Sequence, residues 1–284
     1  MEIRPIGIHT ICYQPGMADA VDPGFLPLDV TADPQPDRRE TAHMLNFWRN
    51  GLHRNYRVSG LLSPNFAERT GFIGDTFNAF IRNDPDFDVW FVNPRPSLFY
   101  LSYNIWEQGE AWHPGLCERA SRVFKAANVA IDPNNFPRST RNTLLFCNYW
   151  AGTREFWDQF MPFMEKIAMQ AELTRSIEDA AFYSPTVPTS YWPFLFERLF
   201  TTFLVMRPDI RARYIQFDID HILKISPHSI ETLLIREWAP MIDRWDAVGI
   251  YNDDQRAIFR GLQKLDILGF LRDDRALQRT LLGV

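Results

Sequence analysis

Four short apolar runs, each followed by a turn or a helix signal, predict β-strands in the first half of the chain. They cover residues 6–13, 57–62, 88–92 and 144–151. The first run is rich in β-branched residues and ends at Gln14-Pro15-Gly16, a pattern typical of a buried strand and its turn. The next two end at Ser63-Pro64-Asn65 and at Asn93-Pro94-Arg95. We expect all four runs in one mostly parallel sheet.

Helical periodicity fills the intervals between these runs. It predicts helices from Asp37 to Asn50, over 66–82 with a break near Gly71 and Gly74, from about 116 to 127 and from about 153 to 170. The proline-rich stretch 15–37 predicts a loop. After Phe194 the pattern is helical only, and helices alone should fill the region beyond residue 205. The alternation indicates an α/β fold, with an open sheet flanked by helices in residues 1–205 and a C-terminal helical extension in 206–284.

Composition and charge exclude several classes of protein. The 30 basic and 35 acidic residues give a net charge of −5, and the absence of a Lys/Arg block argues against nucleic-acid binding. Three distant cysteines exclude a disulfide scaffold or zinc ribbon and indicate a reducing compartment. The chain shows neither a long apolar run nor a signal peptide, which predicts a cytoplasmic protein with at most peripheral membrane contact. Fingerprints of dinucleotide, P-loop, zincin and α/β-hydrolase enzymes are missing.

The segment from Asn104 to Gly115 contains the densest group of residues that could carry chemistry. Two carboxylates, two indoles and an imidazole lie within it: Trp106, Glu107, Glu110, Trp112 and His113. An aromatic wall raises the pKa of a neighbouring carboxyl, as a general acid or base requires, and indoles can face a sugar ring. The alternatives are a turn with core indoles and solvated carboxylates, or a metal triad of Glu107, Glu110 and His113, which a helix broken at Gly109 and Pro114 disfavours.

Two further positions have both a functional and a structural interpretation. Asn148, in the last predicted strand, could bond ligand hydroxyls or its own backbone. Glu197 and Arg198 interrupt an almost wholly apolar helix, and because adjacent helical residues point apart, each should have a separate partner. They form either a structural pair or, in the case of Glu197, part of an acceptor site.

Several segments, in their order along the chain, resemble capsular-polysaccharide and lipopolysaccharide glycosyltransferase-like proteins. The resemblance rests on the helix RETAHMLNFWRN (39–50) with the strand and turn VSGLLSP (58–64), on LFCNYWA (145–151) followed by Phe156, Trp157 and Phe160, and on ERLF (197–200) followed by Leu204. It covers roughly residues 5–205. It implies a GT-A-like fold and transfer of a sugar from a nucleotide-sugar donor to a glycan or lipid-linked glycan acceptor in surface polysaccharide synthesis.

The chain departs from the GT-A pattern where a metal-binding D-x-D motif would follow the second or third strand. Ser63-Pro64-Asn65 or Asn93-Pro94-Arg95 stands there instead. The departure favours a metal-independent donor site, with Mg²⁺ or Mn²⁺ as an optional cofactor. Helix N-termini and cations would then bind the diphosphate, and the candidate cations are Arg49, Arg57, Arg69 and Arg95.

Open α/β sheets bind ligands beyond the carboxyl ends of their strands. This rule places the donor groups near Tyr13, Ser63–Asn65 and Asn93–Arg95. An inverting transfer also needs a carboxylate that takes the proton of the acceptor hydroxyl, and for this base we predict Glu110 or Glu107, with Glu197 behind them. A retaining transfer would not need the base in the same place, and the sequence does not choose between the two. The predicted donor- and substrate-binding residues are His9, Tyr13, Ser63, Asn65, Asn93, Arg95, Trp106, Trp112, His113 and Asn148. Two other functions stay open at this point: a non-catalytic carbohydrate-binding or assembly protein derived from the same fold, and a metal-dependent hydrolase built on Glu107, Glu110 and His113.

Overall fold

The computed structural model describes residues 4–33, 38–175, 180–184 and 187–273. The strands in these residues are β1 (Arg4–Cys12), β2 (Leu26–Asp29), β3 (Tyr56–Leu62), β4 (Val89–Phe91), β5 (Trp150–Thr153), β6 (Ala180–Ser184), β7 (Val187–Ser190) and β8 (Ala212–Tyr214). The α-helices are α1 (Arg39–Arg49), α2 (Phe66–Thr70), α3 (Gly74–Asn83), α4 (Leu98–Leu101), α5 (Ile105–Trp112), α6 (Leu116–Ala126), α7 (Arg154–Leu173), α8 (Trp192–Glu197), α9 (Leu199–Met206), α10 (Ile219–Ile225), α11 (Ser229–Val248) and α12 (Asp253–Asp273).

Six strands form one open sheet in the order β2-β1-β3-β5-β4-β8. The pairs β1–β2, β1–β3 and β4–β8 are parallel, whereas β5 is antiparallel to both of its neighbours. Five strands therefore run in one direction and β5 runs against them. β6 and β7 form a separate hairpin. The mostly parallel sheet flanked by helices confirms the predicted fold class, and all four predicted strand runs contribute to it.

The sheet also includes strands that the sequence pattern did not predict. β2 lies in the proline-rich stretch predicted as a loop, and it is an edge strand, where a proline such as Pro27 is tolerated. β8 lies beyond residue 205, so the prediction that helices alone fill this region is wrong. Its three residues are too few for a periodic signal, and its pairing with β4 through Phe91 and Tyr214 makes it a strand. The division of the chain at residue 205 into two units stays a prediction.

The run predicted as a strand over 144–151 is mostly a loop, and β5 begins only at Trp150. Cys147 and Asn148 have φ angles of 65° and 51°, which lie in the left-handed region and are incompatible with a strand. Hydrogen bonds between Cys147 and residues distant in the sequence outweigh the strand propensity of this segment.

The predicted helices are present with small shifts at their ends. α1 lies in the interval from Asp37 to Asn50, although Asp37 is outside the described residues; α2 and α3 are separated by Gly71 as predicted, and α6 and α7 cover the two later intervals. α5 continues through Gly109, where a break was expected. A Cβ atom at this position would lie 2.6 Å from Arg198 Cζ, so the glycine makes room for a buried guanidinium.

Much of the aromatic content belongs to the core. Trp90, Trp106, Trp150 and Trp157 are fully buried, and Trp157 Nε1 donates to the Ser59 carbonyl oxygen at 2.9 Å. This bond connects α7 to β3 from within the core, so the indole contributes a polar bond as well as packing area. None of the described helices combines the length and the apolar character that a membrane span requires.

Candidate functional site

A pocket of about 700 Å³ opens at the carboxyl edge of the sheet. β1 and β3 end at this edge, and the antiparallel β5 begins there, so the turn after β3 and the loop before β5 meet side by side. Residues of α1, α2 and α8 complete the walls. The topology therefore brings together segments that are more than 130 residues apart in the sequence.

The backbone around this pocket contains an unusual concentration of left-handed residues. Among the described non-glycine residues with positive φ are Arg39 (φ 45°), Cys147 and Asn148, all of which line the pocket. The Cys147 N–H donates to Glu197 Oε1 at 3.0 Å, and Arg69 Nη1 donates to Cys147 Sγ at 3.2 Å. These two bonds hold a conformation that costs energy on its own, and such residues cluster at functional sites.

Asn148 presents an unused hydrogen-bond acceptor. Its side chain is buried, and Oδ1 has no hydrogen-bond partner among the described residues. Buried polar atoms are nearly always bonded, because an unmade bond costs about 1–3 kcal/mol. A ligand that offers an O–H or N–H group in the pocket would satisfy this oxygen.

Two carboxylates, those of Glu40 and Glu197, face the same pocket. Burial, and then the negative charge of Glu197, raise the pKa of Glu40 to about 7, while the nearby Arg69 and Arg39 partly oppose this rise. Glu197 is held in place by the Cys147 N–H. A carboxyl with a near-neutral pKa can accept or release a proton at the pH of a cell, which is the requirement for general acid–base catalysis.

Positive groups lie beside these carboxylates. Arg39 and Arg69 both line the pocket. The first turn of the 11-residue helix α1 also borders it, and Arg38 at the N-cap makes no side-chain capping bond. Exposed N–H groups at a helix start and neighbouring guanidinium groups are the usual elements of an anion site.

Five of the residues predicted from the sequence line this pocket, namely Tyr13, Ser63, Asn65, Asn148 and Glu197. Tyr13 is largely exposed at the rim, and Ser63 Oγ lies 3.1 Å from the Tyr149 hydroxyl. Arg69, one of the arginines expected to supply charge, also lies there. Arg49, by contrast, pairs with Glu165 at 2.8 Å outside the pocket.

Several other predicted binding residues do not line the pocket. His9 packs edge-on against Phe47 and Tyr56, at 4.9 and 5.5 Å between ring centroids. Asn93 accepts the Arg95 N–H at 3.0 Å, which closes the turn after β4. Arg95 itself lies 3.8 Å from Glu231 Oε2. These residues stabilise the sheet and the turn that follows it.

The aromatic residues of the segment around α5 are also outside the pocket. Trp106 is fully buried and donates to Thr202 Oγ1 at 3.1 Å, and Trp112 packs edge-on against Phe270. His113 stacks on Phe194, a residue of the pocket wall, with 3.5 Å between ring centroids. Burial, followed by the charge of Arg198, lowers the pKa of His113 to about 4. His113 therefore supports the wall from behind as a neutral ring.

The structure places Glu110 and Glu107 in contacts away from the pocket. The Glu110 carboxylate accepts the N–H groups of Gly115 and Cys117, at 2.7 and 2.8 Å, and so caps the start of α6. Glu107 pairs with Arg256 and with Arg260, the latter at 3.1 Å, and links α5 to α12. His113 is not part of either group. Their catalytic role stays a prediction, and the proposal below uses other carboxylates.

Glu110→Gln separates the capping role from a catalytic one. We expect a loss of about 0.5–2 kcal/mol in the free energy of unfolding, because the amide offers one acceptor in place of two, and no loss of transfer activity. Urea unfolding and steady-state kinetics measure the two effects. Glu118→Gln, at an exposed site on α6, the helix that Glu110 caps, is the control. A 10²-fold loss of turnover without destabilisation would restore Glu110 as the base.

Glu40, the pocket carboxyl whose pKa is raised to about 7, was not among the residues predicted from the sequence. A signal was present, since Glu40 stands in the first turn of a predicted helix that follows the loop after the first strand. The first turn of such a helix borders the carboxyl edge of the sheet. Glu40 was assigned to a predicted helix and to the segment 39–50 that carries the family resemblance, and no chemical role was predicted for it.

No protein-family model and no curated protein matches this chain. Among solved structures it is similar to the apo structure of the bifunctional glycosyltransferase WbbM, with 13% sequence identity and a TM-score of 0.42. The similarity covers 75% of this chain and 44% of that one, so this chain spans less than half of its length.

Proposed function

We propose that the protein is a glycosyltransferase that moves a sugar from a nucleotide-sugar donor to a glycan acceptor, and that the pocket is its donor site. The observation that carries the proposal is the presence of Glu40, Arg39 and Arg69 in one pocket at the carboxyl edge of the sheet. A proton-transfer group with a near-neutral pKa and two guanidinium groups meet there. Transfer from a diphosphate leaving group needs both kinds of group.

The place and size of the pocket support a ligand of this class. Ligands of open α/β sheets bind at the carboxyl edge, and pockets for small molecules measure about 300–1,000 Å³. At about 700 Å³ the pocket has room for most of a nucleotide sugar. The exposed ring of Tyr13 at the rim offers a flat face for a base or a sugar.

Each part of the donor has a matching group in the pocket. Arg39, Arg69 and the start of α1 neutralise the diphosphate, which carries the negative charge of the leaving group. Asn148 Oδ1 accepts a hydrogen bond from a hydroxyl group of the sugar. A Mg²⁺ or Mn²⁺ ion remains an optional addition to these cations.

Glu40 performs the proton transfer in this proposal. As the acceptor hydroxyl oxygen bonds to the anomeric carbon of the sugar, the bond from that carbon to the diphosphate breaks, and Glu40 takes the hydroxyl proton. Burial, and then the negative charge of Glu197, keep the pKa of Glu40 near neutrality, and Glu197 also fixes the loop at Cys147 by accepting its backbone N–H. This scheme corresponds to an inverting transfer.

Arg69→Ala tests the donor site. We expect the Kd of the best-bound nucleoside-diphosphate sugar to rise about tenfold or more, because charge-assisted hydrogen bonds contribute about 1.5–3 kcal/mol each. Calorimetry with a panel of uridine, guanosine, cytidine and thymidine diphosphate sugars provides the measurement. Arg57→Ala is the matched control, since Arg57 is exposed on β3 outside the pocket.

The same titration in EDTA tests the role of divalent ions, and we expect the affinity to change less than tenfold. The proposal fails if no sugar nucleotide in the panel binds to the wild-type protein at millimolar concentration. It also fails if Arg69→Ala and Arg57→Ala bind the donor equally well.

A further inference from the structure

A second cluster of titratable side chains lies outside the pocket, between α11 and α12. His228 precedes α11, Glu231 is in its first turn and Asp266 is in α12. All three are buried, and one nitrogen or oxygen atom from each lies within 4.8 Å of the others. Nothing in the proposed transfer reaction uses these residues.

The hydrogen bonding of His228 defines which ring nitrogen carries the hydrogen. The Glu231 N–H donates to His228 Nδ1 at 3.1 Å, so this nitrogen is an acceptor and the neutral ring has its hydrogen on Nε2. Nε2 lies 3.1 Å from Asp266 Oδ1 and 3.9 Å from Glu231 Oε2. A metal ion would need the lone pair of Nε2, which this tautomer does not offer. The geometry therefore favours protons over a metal ion as the occupants.

The two carboxyl groups are incompletely bonded. Glu231 Oε1, Glu231 Oε2 and Asp266 Oδ1 have no hydrogen-bond partner of good geometry among the described residues. Arg95 approaches Glu231 Oε2 only to 3.8 Å, from the turn after β4, and Ser97 lies beside the same carboxyl. Two buried carboxylates with unused oxygens repel each other, and their desolvation costs several kcal/mol each. One proton between them would supply a donor and remove half of the charge.

We propose that Glu231 and Asp266 share a proton in the folded protein, and that this joint between α11, α12 and the turn after β4 is a pH-sensitive contact. The charged and titratable groups that face Glu231 are His228 on its own element, Asp266 from α12 and Arg95 from the turn. His228 Nε2 lies beside the pair, and Arg95 balances the remaining negative charge.

The raised pKa values of the two carboxyl groups determine whether stability rises or falls with pH. Burial first, and then the charge of Asp266, raise the pKa of Glu231 to about 7, and burial also raises the pKa of Asp266. The folded state therefore holds a proton that the unfolded state has lost. This contribution to stability is complete below the ordinary pKa of a glutamate and disappears as the pH rises to about 7. One such proton changes the unfolding constant about tenfold per pH unit within that window.

Urea unfolding at pH 5 and pH 8 tests the proposal. For wild type we expect the unfolding constant to be much larger at pH 8, and for Glu231→Gln and Asp266→Asn we expect this ratio to be at least tenfold smaller. Glu237→Gln, exposed on the same helix, should keep the wild-type ratio. Equal ratios in all four proteins would overturn the proposal.

A second measurement does not depend on unfolding. Infrared spectra near pH 6 should contain the carbonyl band of a protonated carboxyl, and Asp266→Asn or Glu231→Gln should remove it. The spectra are recorded in a Glu40→Gln background, because Glu40 titrates in the same range. Absence of the band in that background overturns the proposal. Stoichiometric Zn²⁺ binding that His228→Ala abolishes also overturns it, in favour of a metal site.

Discussion

Replacing Glu40 with glutamine should reduce the rate of sugar transfer about 10²- to 10⁴-fold while the Kd of the donor stays within about threefold of wild type. Glutamine keeps the shape and hydrogen-bonding capacity of the side chain but cannot accept the hydroxyl proton. Steady-state kinetics with a mixture of glycan acceptors, together with donor calorimetry, separates the two effects. Glu68→Gln is the matched control, because Glu68 is exposed on α2 beside the pocket-lining Arg69.

The pH profile gives an independent test of the same assignment. Glu40 must be ionised to act as a base, so the turnover of wild type should rise with pH and reach a plateau above about 7, the pKa of Glu40. Glu197→Gln removes the negative charge that contributes to this pKa, and the rising limb should then move to lower pH. Wild-type turnover in Glu40→Gln would contradict the assignment. Donor binding without any transfer by wild type would instead support a non-catalytic carbohydrate-binding protein.

Replacing Arg198 with methionine should lower the free energy of unfolding by about 3–5 kcal/mol. Arg198 is fully buried and donates to the carbonyl oxygens of Ile105 and Phe194, at 3.0 and 2.6 Å, and to Gln108 Oε1 at 2.7 Å. Methionine has a similar volume but cannot donate a hydrogen bond, so these three acceptors are left unpaired in the core. The contact from Arg198 to Glu197 is lost as well. Urea unfolding monitored by tryptophan fluorescence measures the loss.

Two further variants test whether the loss of stability comes from the buried guanidinium of Arg198. Arg207→Met, at an exposed site bonded to Asp209 and Gln159, should cost no more than about 1 kcal/mol, because exposed ion pairs contribute little. Gly109→Ala keeps the arginine but puts a methyl group against its guanidinium, and should therefore also destabilise the protein. A loss of less than 1 kcal/mol for Arg198→Met would mean that the freed acceptors find other partners.

Most helices and the central strands were predictable because their signals are local. β1, β3 and β4 are apolar runs that end at Pro, Gly or Asn, and α6 and α7 repeat apolar residues at helical spacing. β8 was not predictable, since three residues next to β4 become a strand only when that neighbour is already in place. The late start of β5 is a tertiary effect as well, because Glu197 and Arg69 hold Cys147 in a left-handed conformation.

The residues of the candidate site, like the elements of the fold, were predictable only in part. Tyr13, Ser63 and Asn65 could be predicted because the carboxyl ends of parallel strands share one edge of the sheet, a rule that needs only the positions of the strands. Glu110 and Glu107 have the same side chain as Glu40, and nothing in their local sequence reveals that one caps α6 and the other meets arginines of α12. The apolar runs and their turns were sufficient to predict the fold class and the edge of the sheet at which the pocket lies. The choice of the carboxylates that face this pocket depends on the tertiary structure, because burial and charge partners come from distant segments.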